Sequence, residues 1–291
     1  MKTVNSMYSL VVKNMLGLGL VAMLFVTSCQ QNAEEPDTLN ETAIEADAVA
    51  EADFDEVDEI TDNIMGYSDG SLGGRVADQA VDERVACATI THDKEAKTIT
   101  IDFGDGCTGP YGVTRSGIIF ITYTGARFVP GSKWTITFQD FYIDGRHIEG
   151  TRTVENVSAS ADDYPKFHVT LVGGKVTWPD ETFATREVDR YRVWVRASNP
   201  LNDEMHILEG STANGVNRDG VTYSSTVLTN LIFKRTCRAS NKARIPVQGT
   251  KEVIIDGTSY VIDFGDGECD SIITITSEGR TVTVDLSQIG N

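Results

Sequence analysis

No run of the chain is apolar for the twenty or so residues that a bilayer-crossing helix needs; the longest, Met15–Val26, has 12. Histidine is scarce, with four residues scattered at 92, 147, 168 and 206, and there is no Cys-x-x-Cys. A zinc site built from clustered Cys and His is therefore not expected, and no metal or other cofactor is assigned. Bases are few: 25 Lys and Arg stand against 43 Asp and Glu, a formal charge of −18. Without Lys/Arg clusters the chain is not expected to bind nucleic acid. It has no Gly-x-Ser-x-Gly elbow, no His-Glu-x-x-His and no phosphate-binding glycine loop, so no catalytic residue is assigned and a non-enzyme is expected. Scattered carboxylates could still meet in space as a glycosidase pair.

The 291 residues allow one or two domains, and a 40% hydrophobic fraction suffices for a real core. The acidity is local. Glu34 to Asp62 holds 13 acids and no base, whereas from Arg75 onward 29 acids face 23 bases. The body is only mildly acidic, and most of the imbalance sits in one tract.

Lys2 and Lys13 precede the apolar run MLGLGLVAMLFV, which ends in Val26-Thr27-Ser28-Cys29. A basic head, a short apolar segment and small residues before a Cys form a signal peptide over residues 1–28. The last four residues resemble a bacterial lipobox. That resemblance implies cleavage before Cys29, a diacylglyceryl group on its sulfur and an acyl chain such as palmitate on its new amine. Two or more chains give stable anchoring where one is marginal. The residue after Cys29 is Gln30, not Asp, and Glu34 and Glu35 follow closely. By analogy with lipoprotein sorting, this points to the outer membrane, and the early acids resemble surface-export signals of Bacteroidota lipoproteins.

Residues 29–84 form the lipidated Cys and an acidic tether. Phe54, Val57, Ile60, Ile64 and Met65 recur at near-helical spacing, which predicts a helix over roughly 52–65. Like-charge repulsion makes such a helix marginal in isolation, so the expectation is a solvated, partly helical spacer. Tyr67 to Gly74 reads as a flexible break.

From 85 to 291 the chain reads as one antiparallel β domain, a sandwich or an extended curved sheet of about ten to twelve strands. Thr, Val and Ile crowd its alternating segments. FHVTLVGGKVTW predicts a hairpin turning at Gly173-Gly174, and EVIIDGTSYVID one turning at Asp256-Gly257. Further turns are expected at Asp144-Gly145, Asn214-Gly215 and Asp219-Gly220.

The strand and turn TITIDFGDGC at 98–107 is echoed by YVIDFGDGEC at 260–269. Its carboxylates, Asp102 with Asp105 and Asp263 with Asp266, could face Ca²⁺; the reading adopted is a turn, with Asp accepting local N–H bonds. An exported chain meets an oxidising compartment, so Cys87, Cys107, Cys237 and Cys269 are expected to form two disulfides. Three connectivities are open, and the echo suggests Cys87–Cys107 with Cys237–Cys269. Arg190, Arg192, Trp194 and Arg196 alternate along one strand, opposite Tyr191, Val193 and Val195. This row is the candidate ligand face for an acidic glycan or a protein; its plainer reading is a solvated face with Arg stems over Trp.

The paired IDFGDG motifs, each followed by a Cys, together with TITIDFGDGCTGPYGVTRSGIIFITYTG near the start of the body, resemble an uncharacterised family of all-β lipoproteins from Bacteroidota. The resemblance spans most of 85–285. It implies an exported, lipid-anchored β protein at the outer membrane and cell surface, and no activity or catalytic residue. The expected function is a non-catalytic binding or structural module. A polysaccharide-acting hydrolase and a fimbria-like assembly subunit are the alternatives.

Overall fold

The computed structural model describes residues 41–68, 82–239 and 245–287. The expected signal peptide, Cys29 and most of the expected glycine-rich break lie outside these residues. The described chain opens with helix α1 (Glu41–Ser68), which runs through Tyr67 where the break was expected to begin. The strands follow in order: β1 (Thr89–Asp93), β2 (Thr98–Asp102), β3 (Cys107–Thr108), β4 (Thr114–Tyr123), β5 (Lys133–Ile143), β6 (Arg146–Asn156), β7 (Lys166–Thr177) and β8 (Phe183–Val195). Next come β9 (Glu204–Ile207), β10 (Thr212–Val216), β11 (Thr222–Lys234), a short helix α2 (Arg235–Ala239), β12 (Gln248–Ile255), β13 (Thr258–Asp266), β14 (Ile272–Ser277) and β15 (Arg280–Asp285).

All fifteen strands of the described residues belong to one antiparallel sheet, not to a sandwich. Neighbours follow chain order, β1-β2-β4-β5-β6-β7-β8-β10-β11-β12-β13-β14-β15, with β3 beside β4 and β9 bridging β8 and β11. Short connections between sequential strands explain this meander, since antiparallel neighbours need only a tight turn. Two such turns are the expected Asp-Gly pairs. Asp144 and Gly145 have φ of +47° and +76°, and Asp256 and Gly257 have +48° and +81°. Each pair closes its hairpin directly, Ile143 opposite Arg146 and Ile255 opposite Thr258.

Two expected turns are instead strand interior. Gly173-Gly174 lies within β7, which continues from Lys166 to Thr177; Val169 sits opposite Val154 and Arg190 of the neighbouring strands. Pairing with β6 and β8 resumes on both sides of the two glycines, Leu171 with Val188 and Gly174 with Arg186, so the chain does not reverse there. The glycines instead mark bulges: register shifts occur at Glu149/Thr151 and Leu171/Gly174, and a Cβ on Gly174 would lie 2.4 Å from the Arg186 carbonyl oxygen. Asn214-Gly215 likewise sits inside β10, where a Cβ on Gly215 would lie 1.9 Å from the carbonyl oxygen of Thr185. In both places glycine permits close backbone approach.

The inward side chains form two main apolar clusters. The first unites Phe54, Val57, Ile60 and Ile64 of α1 with Ile99, Ile101, Ile119, Ile121, Trp134 and Ile136 of the sheet. The second gathers Tyr223, Val253, Ile262, Phe264, Ile273 and Ile275 from β11 to β14 and contains no α1 residue. The helix is thus part of the core of the first half of the sheet. The solvated spacer is corrected: between Ala50 and Met65, α1 is built in.

Candidate functional site: an acidic helix in a basic trough

Residues 186, 188, 190 and 192 of β8 point to the same side of the sheet, and all four are buried. Arg186, Arg190 and Arg192 therefore share a face with Val188, and that face meets α1. Arg115 on β4 and Arg152 on β6 project the same way and are almost sealed from water, each about 1% exposed. Lys251 on β12 and Arg146 at the start of β6 complete a row of cations along the trough.

Helix α1 answers them residue by residue. Glu51 accepts from Lys251 at 2.8 Å and pairs with Arg186 at 3.1 Å. Asp53 takes two bonds from Arg146, both 2.8 Å, in a bidentate fork. Asp55 pairs with Arg190 at 2.5 Å and Glu56 with Arg115 at 2.6 Å. Asp58 is the hub: Arg152 grips it on both oxygens, and Arg190 and Arg192 each approach to 3.1 Å. Asp62 closes the series with Arg192 at 2.8 Å, while its backbone carbonyl accepts from Arg127. On the flank, Glu59 meets Arg84 at 2.9 Å and Asn63 donates to Asp82 at 2.8 Å.

Charge and burial compete at Glu51, Asp53, Asp58 and Asp62. Burial pushes the carboxyls of Glu51 and Asp58 upward, but their cations outweigh it: Lys251 and Arg186 at Glu51, and Arg152, Arg192 and Arg190 at Asp58. Both are held below the ordinary carboxylate range. Asp53 goes the other way. Burial dominates, Arg146 offsets it only in part, and the carboxyl rises to about 6. Burial likewise pushes Asp62 upward.

The proposed ligand face is split by these contacts. Arg190 and Arg192 are buried under α1 and engaged by its carboxylates, so the solvated reading of this face is corrected for them. Trp194 and Arg196 lie beyond α1's acids. The Trp194 indole donates to Asp203 at 3.0 Å, and the Arg196 guanidinium stacks 4.3 Å from the Phe128 ring and 5.8 Å from that of Trp194. The trough cations Arg115, Arg146, Arg152, Arg186 and Lys251 were not singled out from the sequence. One signal was available: Arg115 keeps the parity of Ile119 and Ile121, and Arg152 that of Ile148 and Val154, so each is an arginine at an inward strand position.

The chain forms disulfides Cys87–Cys107 and Cys237–Cys269, with Cα separations of 5.6 and 5.1 Å. Each binds the Cys after one copy of the echo to a Cys earlier in the chain. Of the two echo copies, the first makes the expected turn at 104–105; in the second the expected turn is corrected, because β13 continues through Asp263 to Asp266, with a register shift against Gln248/Thr250 of β12. Asp102 accepts from the Gly104 N–H at 2.8 Å, and Asp263 from the Gly265 N–H at 2.9 Å. Among the described residues no three His, Cys, Asp or Glu side chains converge as a metal site requires. No helix among them is long and apolar enough to cross a membrane. No family model, curated protein or solved structure matches the chain.

Proposed function

We propose that the protein is a lipid-anchored lipoprotein of the outer membrane, displayed at the cell surface, whose β body is a non-catalytic binding or structural module. The observation that carries the structural part of this reading is the docking of α1. The trough's carboxylates on α1 are engaged by Arg or Lys, so the cleft is filled by the protein's own chain. Anchorage is supported by the Val26-Thr27-Ser28-Cys29 sequence, and the two disulfides fit an oxidising compartment. A glycan or protein partner then falls to the outward face. There the exposed Tyr191 ring stacks on His168 at 4.6 Å, with the Lys166 ammonium 5.0 Å from its centroid. The assembly reading keeps one observation in its favour: among the described residues β1 and β15 each have a single strand neighbour.

The test is metabolic labelling with a palmitate analogue, followed by protease treatment of intact cells. Label on the wild type, its loss in Cys29→Ala, and cleavage of the body without breaking the envelope are expected. An unlabelled wild type would overturn anchorage. Protection until lysis would overturn surface display and return the body to the periplasmic side.

A further inference from the structure

α1 is built into the body, so residues 30–40, and not all of 29–84, lie between Cys29 and the first described element. Glu51 of α1 meets Arg186 near the start of β8, and Asp62 meets Arg192 near its end, so helix and strand run in the same direction. Ten residues of helix precede Glu51, about 15 Å at 1.5 Å per residue. Only three residues of β8 precede Arg186, about 10 Å. The start of α1 therefore reaches the rim where β8 begins. The same rim holds the turns at 144–145, 178–182, 217–221 and 256–257, as the pairs Ile143–Arg146, Thr177–Phe183, Val216–Thr222 and Ile255–Thr258 require. Eleven residues, 30–40, separate Cys29 from α1, a span of at most about 40 Å when fully extended.

That rim has the chemistry of a membrane interface. Phe183 is 47% exposed and carries the Lys175 ammonium 5.1 Å from its ring centroid. Trp178 is half-buried beneath the Arg218 guanidinium, 4.9 Å away. Aromatic rings capped by cations suit the headgroup layer, where one end of a residue is apolar and the other wet. The rim also carries Asp144, Asp180, Glu181, Asp219 and Asp256, which oppose a strongly anionic surface.

We propose that this rim rests on a bilayer of zwitterionic headgroups, with Trp178 and Phe183 as the interfacial residues. The inference rests on acylation of Cys29 and adds the face and the residues that meet lipid. Tryptophan itself supplies the probe. Of the three in the chain, Trp178 lies at the rim where α1 begins; Trp134 and Trp194 lie toward the other ends of their strands' shared axis, paired with Val154 and Met205.

The experiment uses the full acylated chain, with the mass of its acyl-Cys29 verified, in phosphatidylcholine–phosphatidylethanolamine vesicles containing brominated phosphatidylcholine. Quenching of tryptophan emission is expected. It should be lost in Trp178→Phe, retained in Trp194→Phe and weakened in Phe183→Asp. Far-ultraviolet circular dichroism checks that each variant folds. Absence of quenching in the acylated wild type, or quenching that survives Trp178→Phe, overturns the proposal. A chain without acyl groups on Cys29 overturns the anchorage reading, and this inference with it, and the mass distinguishes that failure from the first.

Discussion

Asp58 of α1 and Arg152 of β6 form an ion pair in which both side chains are almost sealed from water, 2% and 1% exposed. Burying two charges is costly, and only close pairing with further hydrogen bonds offsets it. Here Arg190 and Arg192 also reach Asp58, and Asp55 and Asp62 supply the further negative charge these guanidinium groups need. Removing one partner of a buried pair leaves a bare charge in the core. Asp58→Asn is expected to destabilise the protein by about 3–5 kcal/mol in urea unfolding. The double variant Asp58→Leu/Arg152→Met should lose less than the sum of the single changes. Additive losses would mean that the two side chains do not act as a pair.

Deleting residues 1–68 tests whether α1 is core or spacer. Without it, Ile99, Ile121, Trp134 and Ile136 lose their apolar cover, and the trough cations lose their counter-charges. The truncated body is expected to bind a dye for exposed apolar surface and to lose near-ultraviolet circular dichroism. A body that keeps both its native dichroism and its urea midpoint would show that α1 contributes no packing.

Acid and base sides of the stability profile should respond to different helix acids. Asp58 and Glu51 have carboxyls held low in the folded state. Their contribution is present above the unfolded value near 4 and is lost as pH falls through their folded values. Asp53, raised to about 6, has the opposite sign. Its contribution is present below its unfolded value and is lost as pH rises through about 6. Arg146, Glu56 and Asp144 are the charged groups acting on it. Melting temperatures of Asp53→Asn relative to wild type should therefore improve from pH 4.5 to pH 7.5. A difference independent of pH would overturn the assignment.

Glycine positions separate close approach from turn formation. A Cβ on Gly215 meets the Thr185 carbonyl at 1.9 Å, and one on Gly257 meets nothing within 4 Å. Gly215→Ala is expected to cost roughly 1–3 kcal/mol or more, because strands β8 and β10 must separate. Gly257→Asn keeps a residue that tolerates positive φ and should cost about 1 kcal/mol or less in the same urea titration.

The sequence by itself determined that the body is antiparallel β, because alternation and β-branched composition act strand by strand. It also determined the Asp144-Gly145 and Asp256-Gly257 turns, whose positive φ values are a local demand. The apolar spacing Phe54-Val57-Ile60-Ile64 announced a helix, though the structure lengthens it to Glu41–Ser68. Tertiary structure decided the rest. A Gly-Gly pair serves a turn or a bulge equally well, and only the strands on either side made 173–174 a bulge. A run of acids repels itself in isolation, and only the inward arginines of β4, β6 and β8 turned it into the element that fills the trough. Arg190 and Arg192 looked like a solvated or ligand-facing row because alternation tells which residues share a face, not what covers that face. The partner of those cations lay more than a hundred residues upstream in the same chain, and long-range charge pairing of that kind has no local signature.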